Sequence, residues 1–226
     1  MTMRKKRVSG SEASASRSGP PAPTIPPHAT EDQLTDRLLN AATEVFLEKG
    51  YSASTIDEIA VRAKAGKITF YKHFGNKEAL FEAIILRVNK TIFQGFVAAL
   101  EADAPVREAL TLFLQRLADV LHDDEAVRLV RVLQAETERF PRLAEVFDEE
   151  GPQKSHAMLE KFLLQRMHAG ELRRANASIA AEQLVHMATG ERSRRTLLGL
   201  SPSLSRKESE NRIALAIDTF MRAYGR

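Results

Sequence analysis

The stretch Lys67-Ile68-Thr69-Phe70-Tyr71-Lys72-His73-Phe74-Gly75-Asn76-Lys77-Glu78-Ala79-Leu80 places three aromatic rings among three lysines and a histidine. A core helix has no use for so many cations, and a solvated helix has no use for Phe70, Tyr71 and Phe74. Residues four apart share one face of a helix, so Phe70 and Phe74 point the same way. Tyr71, Lys72 and His73 do not share that face. The pattern predicts a short helix with a core side and a cationic side, ending near Phe74-Gly75.

The surroundings extend the reading. Between Arg62 and Lys77 lie five Lys or Arg residues and no acid, in a chain whose net charge is only +3. Upstream, Leu34, Leu38, Ala41, Ala42 and Val45 recur at helical spacing from Glu31, with Asp32 and Asp36 in the first turns and Gly50 as the stop. Thr55-Ile56-Asp57-Glu58 fits a capping box, although Ser54 could also cap. A second short helix with Ile56, Ile59, Ala60 and Ala63 then runs to Lys64-Ala65-Gly66. Downstream, Asn76 caps a long fourth helix with the stripe Leu80, Ile84, Val88, Ile92, Phe96. Two short helices joined by a tight turn predict a helix-turn-helix, whose second helix enters the DNA major groove.

The rest of the chain reads as helix throughout, with no alternating strand. Helices are expected from Pro105 to about Leu121, over about 124–137, from Pro141 to about Glu149, from Gly151-Pro152 to Gly170, over about 179–200, and from about Arg206 to Tyr224. Residues 1–31 are rich in Ser, Ala and Pro after a basic start, and read as a disordered tail.

The motifs Gly50-Tyr51, Ser54-Thr55-Ile56, Ile59-Ala60, Thr69-Phe70-Tyr71-Lys72-His73-Phe74 and Asn76-Lys77-Glu78-Ala79-Leu80 resemble the DNA-binding domain of TetR/AcrR-family transcriptional regulators over about residues 32–92. The segments "FPRLAEVFDEEGP" and "GELRR" are similar to the regulatory domain of the AefR-like branch. The resemblance implies an all-α protein of about nine helices. A three-helix helix-turn-helix domain (32–92, the motif itself about 55–74) is joined by a long helix to an effector-binding and dimerisation domain (93–226). Where the family turn carries Gly-Val-Ser, this chain has Lys64-Ala65-Gly66. Either Lys64 takes a position of positive φ, at a cost of about 1 kcal/mol, or the turn differs; Gly66 is left as the helix cap.

On this reading Phe70 and Phe74 fasten the recognition helix to Val45, Phe46 and Ile59. Lys67, Ile68, Thr69 and Lys72 stand where base edges are met: lysine donates to guanine, and Ile68 or the Thr69 methyl packs on a thymine methyl. The resemblance implies backbone contacts for Tyr71 and His73. Lys77 and Thr55, at helix N-termini, are placed either for phosphate or for simple capping and solvation. Reading two half-sites requires a homodimer, and the resemblance assigns its interface to the last two helices; the stripe Ile213, Ala216, Ile217, Phe220 and Tyr224 suits that interface or packing within the chain. Phe93, Phe96, Phe113, Leu117, Met158, Phe162 and Met187 are large, adaptable groups suited to an effector pocket and equally to an ordinary core. The expected function is a repressor released from a palindromic double-stranded DNA operator by a small hydrophobic effector, through a shift of the fourth helix. The alternative is an activator, or a regulator controlled by a protein partner.

Composition limits other classes. There is no cysteine, hence no disulfide, thiolate metal site or cysteine nucleophile. No apolar run reaches about 18 residues, and the basic N-terminus has no apolar stretch after it, so a membrane span and a secretory signal are not expected and the location is read as cytoplasmic. The acidic runs at 123–125 and 148–150 read as solvated helix ends, and His122, His156, His168 and His186 form no ligand spacing. His186, beside Leu184, Val185 and Met187, reads as a buried histidine. No catalytic residue, metal or cofactor is expected.

Overall fold

The computed structural model describes residues 31–101, 104–200 and 205–226. The tail read as disordered lies outside them. The described residues form helices α1 (Glu31–Lys49), α2 (Ile56–Arg62), α3 (Lys67–Phe74), α4 (Lys77–Glu101), α5 (Val106–Leu121), α6 (Asp124–Gln134), α7 (Pro141–Asp148), α8 (Lys154–His168), α9 (Ala177–Leu197) and α10 (Arg206–Tyr224). A π-helical turn, Glu149–Gln153, joins α7 to α8. With α7 and α8 joined through it, the ten segments make nine helices among the described residues, of which α9 is kinked at Gly190 (φ 13°, ψ −115°). The one extended pairing among them is an isolated antiparallel bridge between Leu172 and Gly225.

Local chemistry sets the first four helices. Glu31 and Asp32 lie in the first turn of α1, and Gly50 ends it at φ 82°. Thr55 completes a capping box with Glu58. Ser54 does not cap; it is buried and its hydroxyl donates to the Tyr51 carbonyl at 2.6 Å. The Asn76 side chain accepts from the Ala79 amide at 2.7 Å and starts α4. The break expected at Gly151-Pro152 does not occur. The wider π turn takes Pro152 inside it, so the chain runs on from α7 into α8.

Two apolar cores share α4. The first gathers Leu38, Val45, Phe46, Tyr51, Ile59 and Phe70 with Leu80, Phe81 and Ile84. It also recruits Leu133, Leu143 and Val146 from α6 and α7. The second core joins Phe96 of α4 to α5, α8, α9 and α10. Asn89, 9% exposed, sits between the two clusters on α4. By length and composition α4 is apolar enough to cross a membrane, against expectation. It carries Glu82, Arg87 and Lys90, however, and packs against α1, α5, α7 and α8, as a central core helix does.

One reading of the C-terminal half is corrected, that of His186 as buried, and two residue sets take definite places. The stripe Ile213, Ala216, Ile217, Phe220 and Tyr224 is buried in the chain's own core, each residue at most 8% exposed. Tyr224 also donates to Gln183 at 2.6 Å. The pocket set is closed on itself. Phe96 and Phe113 stack at 4.7 Å between centroids, Phe162 is buried, and Phe93, Leu117 and Met158 pack against that core. Met187 stands outside it, 36% exposed. His186 is likewise exposed, with Nδ1 2.9 Å from the Glu182 carbonyl one turn back.

Candidate nucleic-acid interface

Helix α3 presents the two sides that its sequence predicts. Phe70 is fully buried, and its ring lies 5.7 Å from that of Phe74, which is half-buried against the same core. Burying such a ring contributes about 1.5–3 kcal/mol and fixes the helix to α1 and α2. On the opposite side Ile68 is 87% exposed and Tyr71 46% exposed, with Lys67 and Lys72 also at the surface and Thr69 half-buried.

Of the two alternatives for the turn before α3, the structure has the first. Lys64 has φ 51°, the positive-φ non-glycine residue among the described residues. Its amide donates to the Val61 carbonyl and that of Ala65 to the Ala60 carbonyl, the paired bonds of a Schellman ending. Gly66 caps α3 in ordinary extended conformation (φ −76°, ψ 145°) with no side-chain bond.

The basic window is less free than its composition indicates. Arg62 makes two bonds to the Glu48 carboxylate, at 2.6 and 2.7 Å. Lys67 pairs with Asp57 at 2.7 Å, which holds its ammonium above the usual lysine range. Lys77 turns inward: its ammonium donates to the carbonyls of Tyr51 (2.7 Å) and Ser54 (2.9 Å) and lies 4.5 Å from the Tyr51 ring centre. Burial lowers its pKa. Lys64 and Lys72 are exposed and make no ion pair among the described residues. Thr55 is committed to its capping box, and the Nε2 of His73 is shielded from solvent without a partner among the described residues. Neither group points freely outward.

Ser54, Thr55, Ile56, Asp57, Lys67, Tyr71 and Lys77 line one open cleft of about 300 Å³. The α2 N-terminus and the α3 face thus converge on one open space, which the Asp57 carboxylate also borders. Long-range contacts hold this face to the rest of the chain, and no local sequence signal marks them. Glu136, just past α6, accepts from the Ser52 amide at 2.9 Å and its hydroxyl at 2.6 Å. Those bonds hold its carboxyl below the usual range. The Tyr51 ring meets Phe140 edge-on at 4.9 Å, and Arg128 donates to the Leu47 carbonyl.

Comparison with known proteins agrees with this geometry. Residues 38–84 match the family described as bacterial regulatory proteins, tetR family. Residues 108–226, more than half of the chain, match the C-terminal domain described as that of AefR-like transcriptional repressors. The chain is 35% identical over 100 residues to the HTH-type transcriptional activator FasR of Mycolicibacterium smegmatis, covering 44% of this chain and 46% of FasR. It is 30% identical over 140 residues to the regulator UidR of Escherichia coli K12, covering 61% of this chain and 67% of UidR. The chain therefore spans about half the length of FasR and two thirds that of UidR. Among solved structures, a TetR-family regulator from Mesorhizobium loti superposes with TM-score 0.77 at 28% identity, covering 88% of this chain and all of that one. The flavonoid-responsive regulator FrrA superposes with TM-score 0.73 at 30% identity, covering 86% and 98%. From its paired-helix motif to its regulatory half, this chain belongs to the TetR family of DNA-binding transcriptional regulators, which are not enzymes.

Proposed function

We propose that the protein is a homodimeric, cytoplasmic repressor that leaves a palindromic operator when a small hydrophobic effector binds. The exposed face of α3 carries this reading. Ile68 and Lys72 stand clear of any partner among the described residues, and Phe70 locks the helix behind them. Lys67, Ile68, Thr69 and Lys72 meet base edges, with Ile68 on a thymine methyl. Tyr71 and His73 meet the backbone, His73 after a turn of its ring. Thr55 and Lys77 border the open cleft, where the third N–H of the Lys77 ammonium remains for a phosphate oxygen. The effector would part the closed aromatic cluster of Phe96, Phe113 and Phe162, with Phe93, Leu117 and Met158 at its edge. The responsiveness of FrrA to flavonoids supports an apolar, ring-bearing ligand. Release then follows from the ligand's preference for an arrangement of α4 that misplaces the two recognition helices.

Nuclease footprinting on the DNA flanking the gene tests this: two protected half-sites about one helical turn apart are expected. Lys72→Ala and Ile68→Ala should each weaken operator binding and change which bases are preferred. Unaltered affinity and base preference in both variants would remove α3 from the interface. A second reading, transcriptional activation, is favoured by the identity to the activator FasR. A reporter whose expression falls on deletion of the gene selects it; one whose expression rises selects repression.

A further inference from the structure

Lys64 occupies a backbone position to which lysine is poorly suited. At φ 51° its Cβ crowds the neighbouring carbonyl, where glycine would meet nothing. A glycine does follow, two residues later, but Gly66 sits in an extended conformation (φ −76°, ψ 145°) that any residue adopts. The turn thus carries its lysine at the strained position and its glycine at the relaxed one. Such strain points to function when the fold gains nothing from the side chain that bears it.

The contacts around Lys64 meet that condition. The neighbouring cations are paired: Arg62 with Glu44 and Glu48, Lys49 with Glu58, and Lys67 with Asp57. Lys64 is exposed, and its ammonium makes no ion pair or hydrogen bond among the described residues. It immediately precedes Ala65 and the Gly66 cap, at the end of α3 that leads into the groove. In a docked helix-turn-helix the recognition helix meets the base edges, and the elements before it cross the phosphate backbone. An ammonium on a flexible stem acts as a point charge, which suits a phosphate oxygen better than a bidentate base edge.

We infer that Lys64 contacts a DNA phosphate, and that the chain keeps a strained lysine in this turn for the charge it brings to the duplex. The inference rests on α3 being the DNA-reading helix, as proposed above. It adds a backbone contact from the turn itself, next to Lys67 and on the opposite side of the Gly66 cap.

The test is fluorescence anisotropy of the full chain on two duplexes of unrelated sequence, each titrated at several sodium chloride concentrations. Loss of one phosphate contact lowers the steepness of log K against log salt by about 0.9. Lys64→Gly should show that decrease on both duplexes, with weaker binding. Its urea midpoint should be no lower than the parent's, so that unfolding does not account for the loss. Lys64→Arg keeps the charge and should keep the parent slope. A parent-like slope in Lys64→Gly, an equal loss in Lys64→Arg, or a lowered urea midpoint overturns the inference. A loss on one duplex only would put Lys64 on a base edge and overturn the phosphate assignment. Lys72→Ala and Ile68→Ala on the footprinted DNA judge the α3 reading separately. Effects there beside a silent Lys64→Gly overturn this inference alone, whereas silence in all three overturns both.

Discussion

Lys64 shows how a single residue can be read in advance and why it costs stability. Its φ of 51° closes the α2 ending, where glycine is the residue without a steric penalty. Its side chain makes no ion pair among the described residues that would offset the strain. Lys64→Gly is therefore expected to raise stability by up to about 1 kcal/mol, read as a higher urea midpoint with unchanged slope; a lower midpoint would mean that the lysine contributes something the strain argument omits. Asp57 is a different case. Its carboxylate holds Lys67 at 2.7 Å on the face assigned to DNA, and both are well exposed. Removing the charge in Asp57→Asn should tighten binding to any duplex, by at most about fivefold for a surface pair. Anisotropy titrations on operator and random duplexes measure this. Equal affinities for variant and parent would mean that Lys67 already leaves Asp57 in the complex.

At the scale of elements, what the sequence discloses follows contact range. The Thr55 box, the Asn76 cap and the Phe70/Phe74 face depend on residues within one turn, so each was legible. The inward turn of Lys77 was not, because its carbonyl partners lie 23 and 26 residues away. Glu136 and Ser52 are 84 residues apart, and neither has a neighbour that signals the bond. That bond clasps the α1–α2 loop to the end of α6 and yields a pH prediction. Glu136 has a folded pKa below its unfolded one, so its contribution is complete above the unfolded value and is lost as pH falls through the folded value. Glu136→Gln should remove about 1 kcal/mol at pH 7. The deficit should shrink on acidification, as the parent loses the same interaction. Urea unfolding at pH 7 and again near the acid limit of folding measures the gap, and a gap constant with pH would mean that the Glu136 charge plays no part.

At the scale of the whole molecule the sequence permitted two readings that only packing separates. An amphipathic stripe states that a face is apolar; it does not say whether the cover is the chain's own core or a second copy. Ile213, Ala216, Ile217, Phe220 and Tyr224 are covered from within, by α5 and α9. In the homodimer proposed above, a partner chain would meet what the last two helices leave outside. Leu215 of α10 is 68% exposed, and Ile179 and Met187 of α9 are 49% and 36% exposed. Two recognition helices reach successive major grooves only if a dimer holds them about 34–36 Å apart; on the proposed dimer, this outer face would govern operator binding without touching DNA. Leu215→Arg is expected to sediment as a monomer, keep its helical circular dichroism and lose the high-affinity operator complex. Ile213→Ala, two residues away but inside the core, should instead cost about 2–5 kcal/mol of stability while the folded fraction remains dimeric. Sedimentation and melting of the two variants side by side distinguish the faces. A dimeric Leu215→Arg protein with normal operator affinity would move the interface off this side of α10.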